Sequence, residues 1–463
     1  KHGIKSYVFE SLRPTPELSF AVRHLGTFAG IMITASHNPA PFNGYKVYGE
    51  DGGQMPPHDA DALTDYIRAI ENPFAIEVAD VEAEKASGLI EVIGDAIDAE
   101  YLKEVKDVNI NQKLIDEYGK DMKIVYTPLH GTGEMLARRA LAQAGFDSVQ
   151  VVEAQAVADP DFSTVKSPNP ESQAAFALAE ELGRKVGADV LVATDPDADR
   201  VGVEVLQKDG SYLNLSGNQI GAIMAKYILE AHKNAGTLPE NALCKSIVST
   251  DLVTKIAESY GATMFNVLTG FKFIAEKIQE FEEKHNHTYM MGFEESFGYL
   301  IKPFVRDKDA IQAVLVVAEL AAYYRSRGLT LADGIEEIYK EYGYFAERTI
   351  SVTLSGVDGA EQIKTIMAKF RNNAPKEWNA TAITVVEDFK AQTATAADGT
   401  VTNLTTPPSD VLKYTLADGS WIAVRPSGTE PKIKFYIAVV GDSNEDSQAK
   451  IANIEAEINA FVK

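Results

Sequence analysis

The sequence predicts an α/β protein of consecutive α/β/α domains with mixed, mostly parallel sheets, followed by a C-terminal α+β domain with an antiparallel sheet. Its 463 residues are too many for a single hydrophobic core. Apolar strands and amphipathic helices alternate through the middle of the chain, which is typical of a parallel sheet covered by helices. The last part of the chain is instead rich in strands.

The first region, residues 1–115, begins abruptly with a short strand. Its predicted elements are the strand Ser6–Phe9, a helix that begins near Thr15, the strand Gly30–Thr34 and a helix over Pro57–Ile70. A variable acidic stretch completes it. This region therefore has fewer predicted strands than the two that follow.

The second and third regions, residues 116–238 and 239–345, share one order of elements. In the second, strands and helices alternate over Lys123–Thr127, Glu134–Ala144, Ser148–Val152, Glu171–Val186, Asp189–Thr194 and Asn218–His232. In the third, they alternate over Lys245–Ser249, Leu252–Tyr260, Thr263–Val267, Phe271–His285, Thr288–Gly292 and Asp309–Arg327. The shared order predicts an internal structural repeat.

The last region, residues 346–463, has a different pattern. Strands are predicted over Thr349–Leu354, Ile383–Asp388, Val411–Leu416, Ser420–Val424 and Lys432–Val440, and helices over Gly359–Asn372 and Glu445–Val462. Many strands with two helices predict a small α+β domain on an antiparallel sheet.

The composition argues against several classes of protein. A net charge of −23 disfavours a nucleic-acid partner, because phosphate backbones require an excess of Lys and Arg. No apolar run reaches the roughly 20 residues of a membrane span, and the first ten residues lack the apolar core of a signal peptide. The single cysteine, Cys244, lies in an apolar run. We therefore expect a cytoplasmic protein with no nucleic-acid or membrane partner.

The loop Thr-Ala-Ser-His-Asn-Pro follows the predicted strand Gly30–Thr34, and the carboxyl ends of strands are where open parallel sheets bind ligands. Ser36 is a candidate nucleophile, with His37 beside it and the cation Lys46 further on, since a serine hydroxyl needs a base or an electropositive setting. Ser, Asn-Pro and Asn-Gly are also common turn residues. From spacing alone, a turn is the favoured interpretation.

The loop Asp-Pro-Asp-Ala-Asp-Arg follows the predicted strand Asp189–Thr194. Three alternating carboxylates, Asp195, Asp197 and Asp199, can converge on one hard cation, and few protein oxygens plus a phosphate suit Mg²⁺. An EF-hand is excluded because Leu206 stands where that loop requires glutamate. The alternative is a solvated acidic turn.

Two further loops carry polar side chains. Gly-Phe-Glu-Glu-Ser-Phe-Gly, which contains Glu294 and Ser296, could bind sugar hydroxyls or be a charged surface loop. Arg-Pro-Ser-Gly-Thr-Glu-Pro, which begins at Arg425, offers an arginine, hydroxyls and free backbone N–H groups to an anion. A hairpin turn explains it equally well.

A Gly-Thr-Gly segment at Gly131 follows a strand, opens a helix and has Glu153 downstream. This nearly matches a dinucleotide-binding fingerprint, but Leu136 replaces the third small residue. A nicotinamide-dependent dehydrogenase is therefore an alternative at this level.

Together, and in this order, the four loops resemble those of the α-D-phosphohexomutase family, and within it the phosphoglucomutases. The resemblance covers essentially the whole chain. It favours the phosphoserine interpretation of Ser36 over the turn, and it implies four domains around a central cleft.

The resemblance also implies roles for individual residues. Ser36 matches the phosphoserine, and Asp195, Asp197 and Asp199 match Mg²⁺ ligands that a phosphoserine oxygen completes. His37 and Lys46 match positions for proton transfer. The implied substrate-binding residues are Arg200, Thr269, Gly270, Lys272, Glu294, Ser296, Arg425, Ser427, Gly428, Thr429 and Lys434. Many members carry arginine where this chain has Lys434, so a bidentate phosphate contact there is in question.

The implied reaction interconverts glucose 1-phosphate and glucose 6-phosphate, with glucose 1,6-bisphosphate as intermediate and activator and one Mg²⁺ per chain. Phosphopentomutase, phosphomannomutase and a non-catalytic sugar-phosphate-binding relative remain alternatives. The sequence leaves the oligomeric state open.

Members of the family also carry a strand, a helix and an arginine-bearing glycine-rich loop before the region that begins here. We therefore expect the sequence to be a fragment that lacks the start of domain one, with an exposed sheet edge and a lower rate of transfer.

Overall fold

The computed structural model describes residues 2–237, 241–354, 358–427 and 431–462, which form two compact units. The first unit comprises Lys1–Lys245, Ala257–Phe265 and Gly270–Gly334. The second comprises Ser246–Ile256, Asn266–Thr269 and Ile335–Lys463.

The first region contains two small sheets. Strand β1 (Ser6–Phe9) pairs in parallel with β4 (Ile90–Ile93), and β2 (Gly30–Ile33) pairs antiparallel with β3 (Tyr45–Tyr48). The helices are α1 (Thr15–Leu25), α2 (Pro57–Arg68), α3 (Val81–Ser87), α4 (Asp95–Lys106) and α5 (Gln112–Tyr118), with a 3₁₀ turn at Pro73–Ala75. Helix α5 continues into the second region, which begins with a 3₁₀ turn at Gly119–Asp121. Strands β3 and β4 were not predicted; both are short and carry a charged residue, Lys46 and Glu91, among their apolar residues.

The second region forms a five-stranded sheet of order β6-β5-β7-β8-β9. Its strands are β5 (Ile124–Thr127), β6 (Val149–Val151), β7 (Val190–Thr194), β8 (Val201–Leu206) and β9 (Tyr212–Leu215). Its helices are α6 (Glu134–Ala144), α7 (Glu153–Ala156), α8 (Ala177–Val186) and α9 (Gly217–Ala235), with a 3₁₀ turn at Gln173–Phe176. Strands β8 and β9 were missed; both run antiparallel to their neighbours. The predicted helical start at Glu171 is wrong, because the Asn169 side chain accepts the Glu171 N–H in a turn.

The third region forms a four-stranded sheet of order β11-β10-β12-β13. Its strands are β10 (Asn241–Ser246), β11 (Thr263–Val267), β12 (Thr288–Glu294) and β13 (Gly298–Leu300). Its helices are α10 (Leu252–Ser259), α11 (Phe271–Lys284), α12 (Ala310–Ser326) and α13 (Leu331–Tyr342). The predicted strand Lys245–Ser249 is wrong, because the Ser249 N–H turns back onto the Ser246 carbonyl. Both sheets place their first four strands in the order 2-1-3-4 with an antiparallel fourth strand, which supports the repeat.

The last region forms an antiparallel sheet of order β14-β21-β20-β19-β16-β17-β18, with β15 paired to β16. Its strands are β14 (Tyr344–Thr353), β15 (Glu377–Trp378), β16 (Thr381–Asp388), β17 (Thr393–Ala396), β18 (Val401–Asn403), β19 (Leu412–Leu416), β20 (Trp421–Pro426) and β21 (Lys432–Gly441). Helices α14 (Gly359–Asn373) and α15 (Asn444–Val462) bury Phe370 and Ile451 in its core. The predicted fold class is confirmed.

Among the described residues, no helix combines the length and apolar character needed to cross a membrane.

Candidate active site

The serine loop turns sharply where β2 ends at Ile33. Ser36 has a φ of 52°, in the left-handed region that residues other than glycine adopt infrequently. Its backbone N–H donates to Thr34 Oγ1 at 2.9 Å, and its Oγ lies 3.2 Å from His37 Nδ1. A side-chain hydrogen bond thus holds the serine in an uncommon conformation, as is frequent at functional sites.

The aspartate loop joins β7 to β8 and folds back on itself. Asp195 Oδ1 accepts the backbone N–H groups of Asp199 and Arg200 at 3.0 and 3.1 Å, and Ala198 has a φ of 50°. Asp195, Asp197 and Asp199 are all buried. Buried carboxylates are unfavourable unless they are paired or bind a metal, so this loop requires positive charge around it.

The serine loop and the aspartate loop meet directly. Ser36 Oγ donates to Asp195 Oδ2 at 3.0 Å, and the Thr34 hydroxyl donates to Asp197 Oδ1. Lys46 on β3 places its Nζ 2.7 Å from Asp197 Oδ2. Residues far apart in sequence therefore assemble a serine hydroxyl, carboxylates and an ammonium group in one place.

A second lysine, missed by the sequence analysis, completes this arrangement. Lys308 Nζ lies 3.2 Å from Asp199 Oδ2 and 3.1 Å from Asp307 Oδ1, whereas Lys46 lies 3.8 Å from Asp199. The one available signal was the charged run Arg-Asp-Lys-Asp directly before the apolar helix α12. A charged run of this kind is typical of a solvent-exposed helix start, and only the structure shows that it is buried.

Burial and charge separate the aspartates electrostatically. Burial, together with repulsion from Asp199 and Asp197, raises the pKa of Asp195 well above its usual range. Burial also opposes ionisation of Asp199, but the Lys308 and Lys46 ammonium groups outweigh it and lower the pKa of that carboxyl. Asp195 therefore favours binding of a proton or a further cation, whereas Asp199 is ionised.

His37 lies beside the serine as a neutral ring. Burial, reinforced by the Arg200 guanidinium, lowers the pKa of His37 to about 4. Near neutral pH the imidazole is therefore uncharged.

The aspartate loop offers hard oxygen donors with unmet capacity. Asp199 Oδ1 is buried and has no hydrogen-bond partner among the described residues. Among the described residues, no three His, Cys, Asp or Glu side chains are arranged as a metal cluster, and lysines contact two of the aspartates. The donor chemistry fits a hard cation, which would compete with these ammonium groups.

The predicted sugar loop adjoins the aspartate loop. The Val201 N–H donates to the Phe297 carbonyl at 3.0 Å, and Arg200 forms a backbone bridge with Gly298. Glu294, at the end of β12, is buried and accepts the Gly270 N–H at 2.8 Å. The Glu294 carboxylate is therefore brought into the same unit as Ser36.

The other predicted residues of this unit are placed differently. Ser296 is half-buried beyond the end of β12. Lys272 lies near the start of α11, with its Nζ 5.5 Å from the centre of the Phe273 ring. Arg200 pairs with Glu171 at 2.5 Å.

The remaining predicted residues belong to the second unit or lie outside the described residues. Arg425 faces Lys434 across the β20–β21 ladder, and the Ser427 N–H closes the hairpin on the Lys432 carbonyl at 2.7 Å. The Thr269 hydroxyl is shielded from solvent and has no hydrogen-bond partner in the described part of the chain. Gly428 and Thr429 fall in the gap between residues 427 and 431.

The Gly-Thr-Gly segment has a structural explanation. A Cβ on Gly131 would lie 2.4 Å from Pro196 Cα, so glycine is required for close packing against the aspartate loop. The Thr132 N–H and hydroxyl both donate to the Pro196 carbonyl. This turn therefore supports the aspartate loop, which weakens the dinucleotide interpretation.

Comparison with known families identifies the class of protein that has this order of domains and loops. Models of α/β/α domains I, II and III of phosphoglucomutase/phosphomannomutase match residues 1–74, 99–208 and 216–342, and the model of the C-terminal domain matches residues 374–459. The chain belongs to the phosphoglucomutase/phosphomannomutase family, whose members are isomerases.

Among curated relatives, phosphoglucomutase of Staphylococcus aureus (strain bovine RF122 / ET3-1) is 38% identical over 452 residues, 97% of this chain and 79% of that protein. Phosphoglucomutase of Staphylococcus epidermidis (strain RP62A) is 39% identical over 444 residues, 95% of this chain and 79% of that protein. The fold is shared with the open form of Paramecium pp63/parafusin, a phosphoglucomutase, at a TM-score of 0.71 and 20% identity, over 99% of this chain and 83% of that one.

Proposed function

We propose that this chain is a phosphoglucomutase that interconverts glucose 1-phosphate and glucose 6-phosphate through a phosphorylated Ser36. The observation that carries this proposal is the Ser36 hydroxyl, 3.0 Å from Asp195, in a site that also contains Lys46 and Lys308. Identity of 38% to a phosphoglucomutase over nearly the whole chain supports the same reaction.

The proposed reaction has two phosphoryl transfers. Phosphorylated Ser36 gives its phosphoryl group to the free hydroxyl of the sugar phosphate. The hydroxyl loses its proton, the sugar phosphate becomes glucose 1,6-bisphosphate, and the serine oxygen regains a proton. After the sugar reorients, Ser36 takes the other phosphoryl group and releases the isomeric monophosphate. Neutral His37, 3.2 Å from Ser36 Oγ, is placed to accept and return the serine proton.

Charge stabilisation is the main requirement of phosphoryl transfer, because little covalent work is left to the protein. The ammonium groups of Lys46 and Lys308 are placed to neutralise a phosphoryl group on Ser36. We propose that Asp195, Asp197 and Asp199 hold Mg²⁺ together with a phosphoserine oxygen. When bound, the ion would neutralise charge and align the transferred group.

We propose that Glu294 binds sugar hydroxyls and that Ser296, Gly270, Lys272 and Arg200 contribute to substrate binding. In the second unit, we propose that Thr269 contributes to substrate binding. Within the second unit, we propose that Arg425, Ser427 and Lys434, with Gly428 and Thr429, bind phosphate. The buried thiol of Cys244 is compatible with the expected cytoplasmic location, which stays a prediction.

The function is tested by assaying glucose 1-phosphate, mannose 1-phosphate and ribose 1-phosphate side by side, with Mg²⁺ and glucose 1,6-bisphosphate present. Ser36→Ala should lose at least about a thousandfold in turnover, while Ser87→Ala, at an exposed helical serine, should not. Intact mass should show one phosphoryl group on the wild-type chain after incubation with the bisphosphate, and none on Ser36→Ala. Wild-type turnover by Ser36→Ala would refute the mechanism, and preference for another sugar phosphate would reassign the substrate.

A further inference from the structure

A buried tyrosine–aspartate pair lies directly behind the second lysine. Tyr48, at the end of β3, is fully buried, and its hydroxyl donates to Asp307 Oδ2 at 2.7 Å. The other oxygen of Asp307 accepts both the backbone N–H and the Nζ of Lys308, at 2.8 and 3.1 Å. Asp307 therefore uses one oxygen toward Tyr48 and the other toward Lys308.

The lysine itself is confined on its remaining sides. Its Nζ contacts Asp199 Oδ2 at 3.2 Å and lies 5.6 Å from the centre of the Phe271 ring. Its stem crosses Gly298, where a Cβ would approach Lys308 Cδ to 2.1 Å. A larger residue at this position would therefore force the lysine stem to shift.

Strand β3 connects the two lysines of the site. Lys46 and Tyr48 are two residues apart on this strand, so their side chains leave the same face. Lys46 reaches Asp197 directly, whereas Tyr48 reaches Asp199 through Asp307 and Lys308. One short strand thus fixes both positive charges relative to the aspartate loop.

We propose that Tyr48 and Asp307 are positioning residues that hold the Lys308 ammonium group against Asp199 for phosphoryl transfer. This inference rests on the proposed function. A lysine is a point charge on a flexible four-carbon stem, and a small displacement of a group that stabilises the transition state can cost far more rate than stability. Neither residue contacts the reacting atoms; both act through Lys308.

A second pair in the same segment provides a matched control. Tyr101 is also fully buried, and its hydroxyl donates to both oxygens of Asp309 at 2.8 Å, two residues beyond Asp307. Among the described residues, neither the Tyr101 hydroxyl nor the Asp309 carboxylate forms a hydrogen bond with Lys308. Tyr101→Phe and Tyr48→Phe each remove one buried hydroxyl from a carboxylate, but only Tyr48→Phe removes it from the partner of Lys308.

The first measurement is turnover of glucose 1-phosphate by both variants, together with their Tm. Tyr48→Phe should lower kcat about tenfold with little change in KM, whereas Tyr101→Phe should lower Tm comparably and keep most of kcat. An equal loss of kcat in Tyr101→Phe at matched folded fraction would overturn the proposal.

A double-mutant cycle tests whether Tyr48 acts through the lysine. In a Lys308→Met background, Tyr48→Phe should have almost no further effect on kcat, because the group that it positions is gone. A merely structural tyrosine would instead lower kcat by the same factor in both backgrounds, and that result would refute the positioning role.

Crystal structures of Tyr48→Phe and Tyr101→Phe test whether Tyr48 positions Lys308, and this test does not depend on enzymatic activity. Lys308 Nζ should leave Asp199 or become disordered in Tyr48→Phe and stay in place in Tyr101→Phe. An unmoved Lys308 in Tyr48→Phe would overturn the proposal. Absence of mutase turnover in the wild-type chain would refute the proposed function alone, because the crystallographic result still decides where Tyr48 holds the lysine.

Discussion

Two groups of buried carboxylates lie in the first unit, and their environments differ. In the aspartate loop, three carboxylates repel one another, and lysines contact two of them, Asp197 and Asp199. Asp199 Oδ1 has no hydrogen-bond partner among the described residues. Near the start of α1, Arg13 instead binds Asp98 through two hydrogen bonds of 2.8 and 3.0 Å, and Glu17 lies 3.8 Å from the same guanidinium. We call Arg13, Glu17 and Asp98 the arginine cluster.

The two groups are linked through backbone. The Thr15 N–H, at the start of α1, donates to the Asp197 carbonyl at 3.0 Å. The arginine cluster thus anchors the helix whose first turn supports the aspartate loop. Its bidentate charge pair satisfies the buried Asp98 carboxylate, although both Glu17 oxygens, like Asp199 Oδ1, have no hydrogen-bond partner among the described residues. Of the two groups, the aspartate loop is the one that places such an oxygen beside a serine hydroxyl and two lysines. Buried charge therefore stabilises the fold in the arginine cluster, whereas in the aspartate loop it creates a site suited to binding a ligand.

The largest expected effect comes from Asp195→Asn in the aspartate loop. The amide keeps an oxygen for the two backbone N–H groups but removes charge beside Ser36, so turnover should fall on the order of a thousandfold. Because repulsion from Asp197 and Asp199 is relieved, Tm should stay the same or rise. Calorimetry and turnover assays on one preparation of Asp195→Asn measure both quantities. A lower Tm with unchanged turnover would contradict the inferred difference between the aspartate loop and the arginine cluster.

The corresponding substitution in the arginine cluster, Asp98→Asn, should lower stability and leave turnover unchanged. Asp98→Asn leaves the buried Arg13 charge without its counter-ion, so the free energy of unfolding should fall by about 3 kcal/mol. Turnover per folded molecule should be retained, because the cluster does not contact Ser36. Urea denaturation followed by assays at matched folded fraction provides the measurement, and unchanged stability would contradict the assigned anchoring role.

Glu294 sharpens the comparison, because this buried carboxylate accepts a backbone N–H from Gly270. If it binds sugar hydroxyls, Glu294→Ala should lower kcat/KM for glucose 1-phosphate about tenfold or more without changing phosphorylation of Ser36 by the bisphosphate. Glu295→Ala, at the neighbouring half-buried glutamate, is the control. Identical kinetics for both variants and wild type would return this loop to a structural role.

The smallest expected effect on turnover is that of Glu17, which should instead give stability a pH dependence. Burial and the neighbouring Asp98 raise the pKa of Glu17 to about 9, so the folded chain binds a proton that the unfolded chain loses above about 4.5. The contribution of Glu17 to stability is therefore complete below about 4.5 and declines as pH rises toward 9, by at most about 1.4 kcal/mol per pH unit. Glu17→Gln should remove this decline.

Unfolding curves from pH 5 to 8.5 measure the effect. The stability of Glu17→Gln relative to wild type should increase steadily with pH, while turnover stays unchanged. Parallel pH profiles for the two proteins would show that Glu17 ionises normally and that the cluster differs less from the aspartate loop than we infer.

Much of the fold followed from short-range patterns in the sequence. Helix α6 and strand β11 were predicted with the bounds that the structure has, because apolar periodicity and flanking turn residues are encoded within a few positions. The predicted helical start at Glu171 was wrong because the Asn169 side chain accepts the Glu171 N–H. The predicted strand Lys245–Ser249 was wrong because the Ser249 N–H donates to the Ser246 carbonyl in a turn. Strands β8 and β9 were missed because their antiparallel pairing depends on the completed sheet.

The sequence by itself determined the residue types of the serine, aspartate and sugar loops and their order, because loop chemistry is local and the motifs occur jointly. Only the tertiary structure decided that Lys308 reaches Asp199, that Tyr48 and Asp307 confine it, and that Arg13 neutralises Asp98. These contacts join segments far apart in the chain, and their strength depends on burial. Neither distance nor burial is encoded in the spacing of any motif, since both arise only when the sheets and helices pack.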